Sequence, residues 1–172
     1  MIVARFDHAH LDAEIANIIN RGRDLTAPLA SCGEVMLTSI DKNFEVQGRY
    51  ASAESMRGGS TRWEPLAEST KRARIGGSRA FTNAGTLRKK ARAKLAGLKI
   101  LQQSGHLAAS FSKQVGGNTL TIGSNLIYAA IHNYGGQAGR GHRVTIPARP
   151  MLVVQDEDVD DMLEILRKHT FH

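Results

Sequence analysis

Seven histidines, one cysteine, a glycine-rich loop and two basic stretches are the features of this sequence that could do chemistry. A zinc site on a helix wants two histidines four residues apart, and a structural one wants Cys-x-x-Cys. Neither spacing occurs: His8 and His10 lie near the start, His106 stands alone, and glycines separate His132 from His142. The sequence therefore points to no metal and no cofactor. Cys32 would need a converging base to act as a nucleophile, and its place on an apolar stripe makes it a buried small hydrophobe instead. The run Gly135-Gly136-Gln137-Ala138-Gly139-Arg140-Gly141-His142 has the composition of a phosphate loop. It follows a helical pattern rather than a strand, however, and lacks a Gly-Lys-Ser/Thr ending, so a flexible loop is expected. Asp41, Glu45 and Glu54 form no paired acid–base set. These exclusions point away from an enzyme.

What remains is charge and shape. The net charge of +7 is unevenly distributed along the 172 residues. Twelve Lys or Arg fall between Arg57 and Lys99, against only Glu64 and Glu68. The segment Asp156 to Glu164 carries six acids and no base. Such polarity suits DNA binding or head-to-tail contact between copies. Phosphate contacts would draw on Arg88, Lys89, Lys90, Arg92, Lys94 and Lys99, the candidate surface for DNA or an acidic partner. With Phe81 the only aromatic between Trp63 and Phe111, backbone contact independent of base sequence is the expectation.

The elements that would position these residues follow from periodicity. Leu11, Ile15, Ile18 and Ile19 predict a helix over His10–Arg21, stopped by Gly22. Thr26 as N-cap and Pro28 in the first turn open a second helix, with Leu29, Cys32, Met36, Ile40 and Phe44 as its buried stripe. Periodicity is lost from Gln47 to Thr61, and Gly58-Gly59-Ser60 reads as a mobile loop. A short helix is expected from Trp63 to about Arg74, broken by Gly76-Gly77-Ser78. Thr86–Lys99 reads as a surface helix or partly ordered excursion with a thin stripe at Leu87, Ala91, Leu95 and Leu98. Ser104–Leu107 opens another short helix. A hairpin follows, Phe111–Val115 and Thr119–Gly123 about Gly116-Gly117-Asn118. Asn125 or Ser124 caps a helix over Leu126–Tyr134 that ends at a left-handed Gly135. Arg143–Ile146 is β-rich, and Asp156–His169 is a helix whose charges match its macrodipole. The fold class is thus α+β: a small antiparallel sheet packed by helices, with two N-terminal helices and a basic, loop-rich insert. One domain over residues 1–172 is expected, organised as 1–46, 57–99 and 100–172.

No apolar run approaches the roughly 18 residues of a membrane span, and Met1–His8 lacks the layout of a signal peptide. The lone cysteine fits a reducing cytoplasm.

Four segments carry a resemblance. They are Arg62-Trp63-Glu64-Pro65-Leu66-Ala67-Glu68-Ser69-Thr70, the run Ile100 to Ser110 with Ser104-Gly105-His106-Leu107, the run Ile122 to Gly136 with Tyr128-Ala129-Ala130-Ile131-His132-Asn133-Tyr134-Gly135-Gly136, and Ile146-Pro147-Ala148-Arg149-Pro150-Met151-Leu152. In this order and spacing the chain resembles the phage virion morphogenesis family, the tail completion proteins of Mu-like contractile-tailed phages. The stretch Gly76–Lys99 departs from that pattern by being longer and more basic. The resemblance implies a non-enzymatic protein that completes the tail at its head-proximal end or joins tail to head. It implies a homo-oligomeric ring, commonly a hexamer, with phage tail-tube, terminator or neck proteins as partners. Its place would be the host cytoplasm during assembly and then the virion tail or neck. Trp63, Pro65, Leu66, Gly105, Leu107, Tyr128 and His132 are the structural motif residues. Gly135, Gly136, Arg140, His142, Pro147, Arg149 and Pro150 are the candidates for subunit or partner contact. Tyr128, Ile131 and Tyr134 are expected in the core, with the Gly135–His142 loop exposed.

Overall fold

The computed structural model describes residues 9–49 and 62–171, with side chains from residue 12 onward. The start Met1–His8, the Gly58-Gly59-Ser60 loop and the Leu11 side chain lie outside the described residues. Helix α1 spans Ala9–Arg23 and α2 spans Thr26–Val46. Thr26 is the first helical residue rather than the cap. Leu25 holds the cap position, and the Asp24 carboxylate accepts the Thr26 N–H at 3.0 Å. That bond is the leading reason the Asp24 carboxyl sits below its ordinary range. The α2 stripe is buried at Cys32, Met36, Ile40 and Phe44, and it also carries Ser39 and Asn43 inward.

Main-chain carbonyls left open at the end of a helix need partners. Gln102 Nε2 donates to the Phe44 carbonyl, and the Gln47 side chain accepts the Ile100 N–H at 2.7 Å. The segment 100–102 is thereby tied to the end of α2. The principal core gathers Ile40, Phe44, Trp63, Leu107, Ala129 and Met151. Trp63 meets Phe44 edge-on at 5.3 Å, and Phe111 lies 6.2 Å from Phe44.

The hairpin of β1 (Phe111–Gly116) and β2 (Thr119–Ser124) lies where alternation predicts it. It is antiparallel, with Phe111 opposite Ser124 and Gly116 opposite Thr119. It packs on α2 so closely that a Cβ on Gly33 would stand 2.5 Å from Lys113 Cδ. Lys113 then reaches over to pair with Glu34 at 2.6 Å. Asn118 at the turn bonds both Leu25 N–H and the Arg23 carbonyl, anchoring the hairpin tip to the α1–α2 corner. A second small antiparallel sheet pairs β3 (Gly136–Ala138) with β4 (Val144–Ile146).

Several expected helices begin later than periodicity suggests. Trp63–Ala67 is not helical: Arg62 bridges Gly48, Trp63 N–H bonds the Gln47 carbonyl, and α3 begins only at Glu68, ending at Ile75. The basic stretch is ordered, but α4 covers Lys89–Ala96 alone. Leu87 is drawn into a bridge with Phe81, and Arg88 N–H bonds the Ala80 carbonyl, so the chain is extended there. Ile75, Ala80 and Ala91, with Phe81, Leu87 and Leu98, form a second, separate apolar cluster. At Ser104–Leu107 the positive φ of Gly105 interrupts the turn, and a 3-10 turn follows at Ala108–Ser110. Ser124 Oγ accepts the Leu126 N–H at 3.2 Å as expected of a capping residue. The regular helix α5 nevertheless covers only Ala129–Tyr134. Gly135 follows it with φ 73° and ψ 177°, left-handed in φ but extended in ψ. Helix α6, Asp156–Phe171, packs on both α2 and α1.

Candidate functional site

The segment from Ile146 to Gln155 is a strap laid across the core, and buried polar groups hold it. Arg149 N–H bonds the His132 carbonyl at 2.8 Å. Asn133 Oδ1 accepts both the Met151 N–H at 2.8 Å and the Leu152 N–H at 3.0 Å. Asn43 Nδ2 donates to the Met151 carbonyl at 3.1 Å, and the Trp63 indole donates to the Pro150 carbonyl at 2.9 Å. Further on, Asp158 accepts from Ser39 Oγ and from the Gln155 N–H, each at 2.9 Å. Beyond Ile146 the strap has no sheet partner for these groups, so side chains from α2, α5 and α6 and the Trp63 indole satisfy them. Met151 and Asp158 have no exposed surface at all.

Arg149 is a correction. Expected at a subunit contact, it is 6% exposed, and its guanidinium forks onto the carbonyls of Glu64 (2.8 Å) and Pro65 (3.1 Å). This fork explains why Trp63–Ala67 stays extended: the carbonyls a helix would use are already bonded. Burial works against the Arg149 charge, which the nearby Glu64 carboxylate favours. Pro65 itself is exposed, so its carbonyl rather than its ring anchors the segment. Leu66 is half-buried, Leu107 fully so.

His132 is half-buried with its Nδ1 lacking a partner, and its ring meets Tyr128 edge-on at 6.2 Å. Burial, then the charges of Arg149 and Arg74, push its pKa below the ordinary value. It packs against Tyr128 at the start of α5. Gly135 touches the strap: a Cβ there would lie 2.8 Å from Ala148 N and 3.0 Å from the Ile146 carbonyl oxygen. Pro147 and Pro150 are half-buried.

Tyr128 and Tyr134 are a second correction. They are 44% and 77% exposed, while Ala129 and Asn133 face the core and Ile131 is half-buried. The buried pair is four residues apart, and the tyrosines flank it. Ile127, at 98% exposed, and Val144, at 56%, add to the apolar surface around α5 and β4. Beside Tyr134 lies a shallow dimple of about 160 Å³ lined by Phe111, Ala129, Ala130, Met151 and Leu152. Gly136, Arg140 and His142 are exposed, but the stretch expected as a flexible loop is ordered: Gly136 of β3 pairs with Ile146 and Arg140–His142 form a 3-10 turn.

The other candidates that the sequence offered lie apart among the described residues. Cys32 is buried, burial raises its thiol pKa, and its Sγ lies 3.9 Å from the Met162 carbonyl. Among the described residues, no group of three or more His, Cys, Asp or Glu could hold a metal ion. A groove of about 640 Å³ between the two apolar clusters is lined by residues including Trp63, Leu95, Leu98 and Ile100, with no histidine, cysteine or serine. No described helix is long and apolar enough to cross a membrane.

The residues missed in the sequence are Ser39, Asn43, Asn133, Gln155 and Asp158. The signal was present for two of them, because Ser39 and Asn43 occupy positions on the same helical stripe as Met36 and Ile40. Polar residues at core positions announce a buried network.

Comparison with known proteins places the four segments in one frame. A model described as the phage virion morphogenesis family matches residues 6–170 of this chain. The chain is also similar to the Mu-like prophage FluMu G protein 2 of Haemophilus influenzae, 44% identical over 64 residues. That match covers 37% of this chain and 46% of the relative, or about half its length. No solved structure matches.

Proposed function

The chain belongs to the phage virion morphogenesis family, and from that membership we infer that it is a structural subunit completing the tail at its head-proximal end and joining it to the head. It works by association rather than by turnover. The observation that carries this reading is how the motif residues are used. Arg149, Asn133 and Trp63 are bonded inside the fold, while Ile127 and Tyr134 of the same segments stay outside. A strap held by these hydrogen bonds, with Ile127, Tyr134 and Val144 exposed nearby, is suited to docking, because little order has to be gained on binding. Exposed apolar surface of this kind marks interaction sites, and the dimple beside Tyr134 is a receptacle for an apolar anchor.

Copies arranged head to tail make a ring, a hexamer in the expected form, and each outer edge of the β1–β2 hairpin can accept a neighbouring strand. Tail-tube, terminator or neck proteins are the partners for the faces at the ring's two ends. The test is placement in particles carrying a tagged chain. Label confined to the head-proximal end of tails supports the reading; label along the tail shaft, at the baseplate or absent from particles contradicts it. A paired variant, Ile127→Asp with Tyr134→Asp, should melt like the parent yet fail to enter particles.

A further inference from the structure

The basic insert is the part of the molecule that the docking role leaves unexplained. Residues 69–99 hold ten Lys or Arg and no Asp or Glu. They do not trail across the surface: α3, the Gly77–Ala80 turn and α4 close around their own apolar cluster of Ile75, Ala80 and Ala91. The lobe uses some of its cations to build itself. Lys71 pairs with Glu68, Arg72 lies 5.2 Å over the Phe81 ring, Arg74 bonds the Lys99 carbonyl and Arg88 bonds that of Phe81. The other six, Arg79, Lys89, Lys90, Arg92, Lys94 and Lys99, are exposed and pair with no side chain among the described residues. Lys89 and Lys90 also stand in the first turn of α4, where the helix dipole disfavours cations and no side chain caps the helix. Local stability alone does not account for that placement.

A concave feature accompanies the charge. A notch of about 300 Å³ is lined by Arg74, Lys94, Lys99, Gln102 and Gln103 among others, with no acid. Cations and an amide around a small hollow match the oxygens of a phosphate.

We propose that the α3–α4 lobe binds the backbone of double-stranded DNA, with one phosphate in the Arg74–Lys94–Lys99 notch and its neighbours along the exposed face of α4. Charge counting selects this partner over the acidic segment of a second copy. Asp158 is buried, Asp156 and Glu157 interact within the chain, and Glu164 is paired with Lys168. That leaves Asp160 and Asp161, two exposed acids facing six cations. An eight-residue helix is about 12 Å long, and duplex DNA presents about seven charges over that length. Single strands are disfavoured because stacking wants exposed aromatics, and Phe81 is occupied by Arg72. The proposal goes beyond the docking role and stands or falls on the isolated chain.

The experiment is fluorescence anisotropy of a labelled 30-base-pair duplex of arbitrary sequence with the full chain. Six released counterions give a loss of affinity of about 10³-fold between 50 and 200 mM salt. The variant Lys89→Ala, Lys90→Ala, Arg92→Ala, Lys94→Ala should weaken binding at 50 mM salt and reduce the salt effect to about tenfold. Alanine suits a helix, so its melting curve and sedimentation should match the parent's. No duplex binding at 50 mM salt, binding unchanged in the variant, or tighter binding of a single strand of the same length would each overturn the proposal. So would loss of self-association both in this variant and in Asp160→Asn with Asp161→Asn, which would give the face to a second copy.

Discussion

Replacing Asn133 with alanine removes one oxygen and leaves two main-chain donors without a partner. Asn133 Oδ1 accepts the N–H of Met151 at 2.8 Å and of Leu152 at 3.0 Å. Met151 is 0% exposed, so water cannot replace the lost acceptor there, whereas Leu152 is half-buried and recovers part of its bond. An orphaned buried donor costs about 1–3 kcal/mol, so the pair amounts to about 3 kcal/mol. In a chain of this size each kcal/mol moves the melting temperature by about 2–4 °C, which gives a fall of about 6–12 °C. The assay is thermal unfolding of the full chain by circular dichroism, at one protein concentration because self-association would shift the midpoint. The neighbouring Tyr134→Ala is the control. With its side chain 77% exposed, its effect should stay within about 0.5 kcal/mol. An Asn133→Ala midpoint within 2 °C of the parent's, or equal to that of Tyr134→Ala, would refute the strap as the element that holds the fold together.

Gly135→Ala should destabilise by about 2–4 kcal/mol, seen as a lower denaturant midpoint, because its φ is +73° and the added Cβ would press on Ala148 N, which is main chain and has little room to move. Trp63→Phe keeps a ring against Phe44 but leaves the Pro150 carbonyl without its indole donor, a loss of about 1–3 kcal/mol in urea titration. His132 gives a pH dependence. Burial first, then Arg149 and Arg74, hold its folded pKa below the unfolded value, so its contribution is complete above about pH 6.5 and is lost as pH falls toward the folded pKa. Unfolding titrations of the parent should therefore show stability declining below about pH 6.5, by at most about 1.4 kcal/mol per pH unit for this one proton. The variant His132→Gln should show a shallower decline over that window.

The elements with strong periodicity were legible in the sequence, and the reason is that their faces are decided locally. The α2 stripe and the β1–β2 alternation each see one partner surface, so apolar spacing alone identifies them. Trp63–Ala67 was not legible, because its conformation is set by a guanidinium 84 residues away that bonds the Pro65 carbonyl. The same distance hid the partners of Arg149: between two prolines it reads as a residue able to fix a carboxylate or main-chain carbonyl, and only the folded chain shows that the carbonyls are those of Glu64 and Pro65. Two tyrosines in a short helix look like core, yet a helix of six residues has room for one buried pair, and Ala129 and Asn133 take it. Small and polar residues won those positions because the strap approaches closely and needs an acceptor there. In the basic insert composition indicated a surface excursion, while the cluster of Ile75, Ala80 and Ala91 that orders it depends on a contact between α3 and α4.

The proposed role in virion assembly at the junction of tail and head can be tested in the particle itself. Its most direct test is to delete the gene from the phage or prophage that encodes it and to count particles by electron microscopy. Full heads and tails should lie separate, with joining restored by the parent chain and not by Ile127→Asp with Tyr134→Asp. Joined, infectious particles at the parental yield would contradict it.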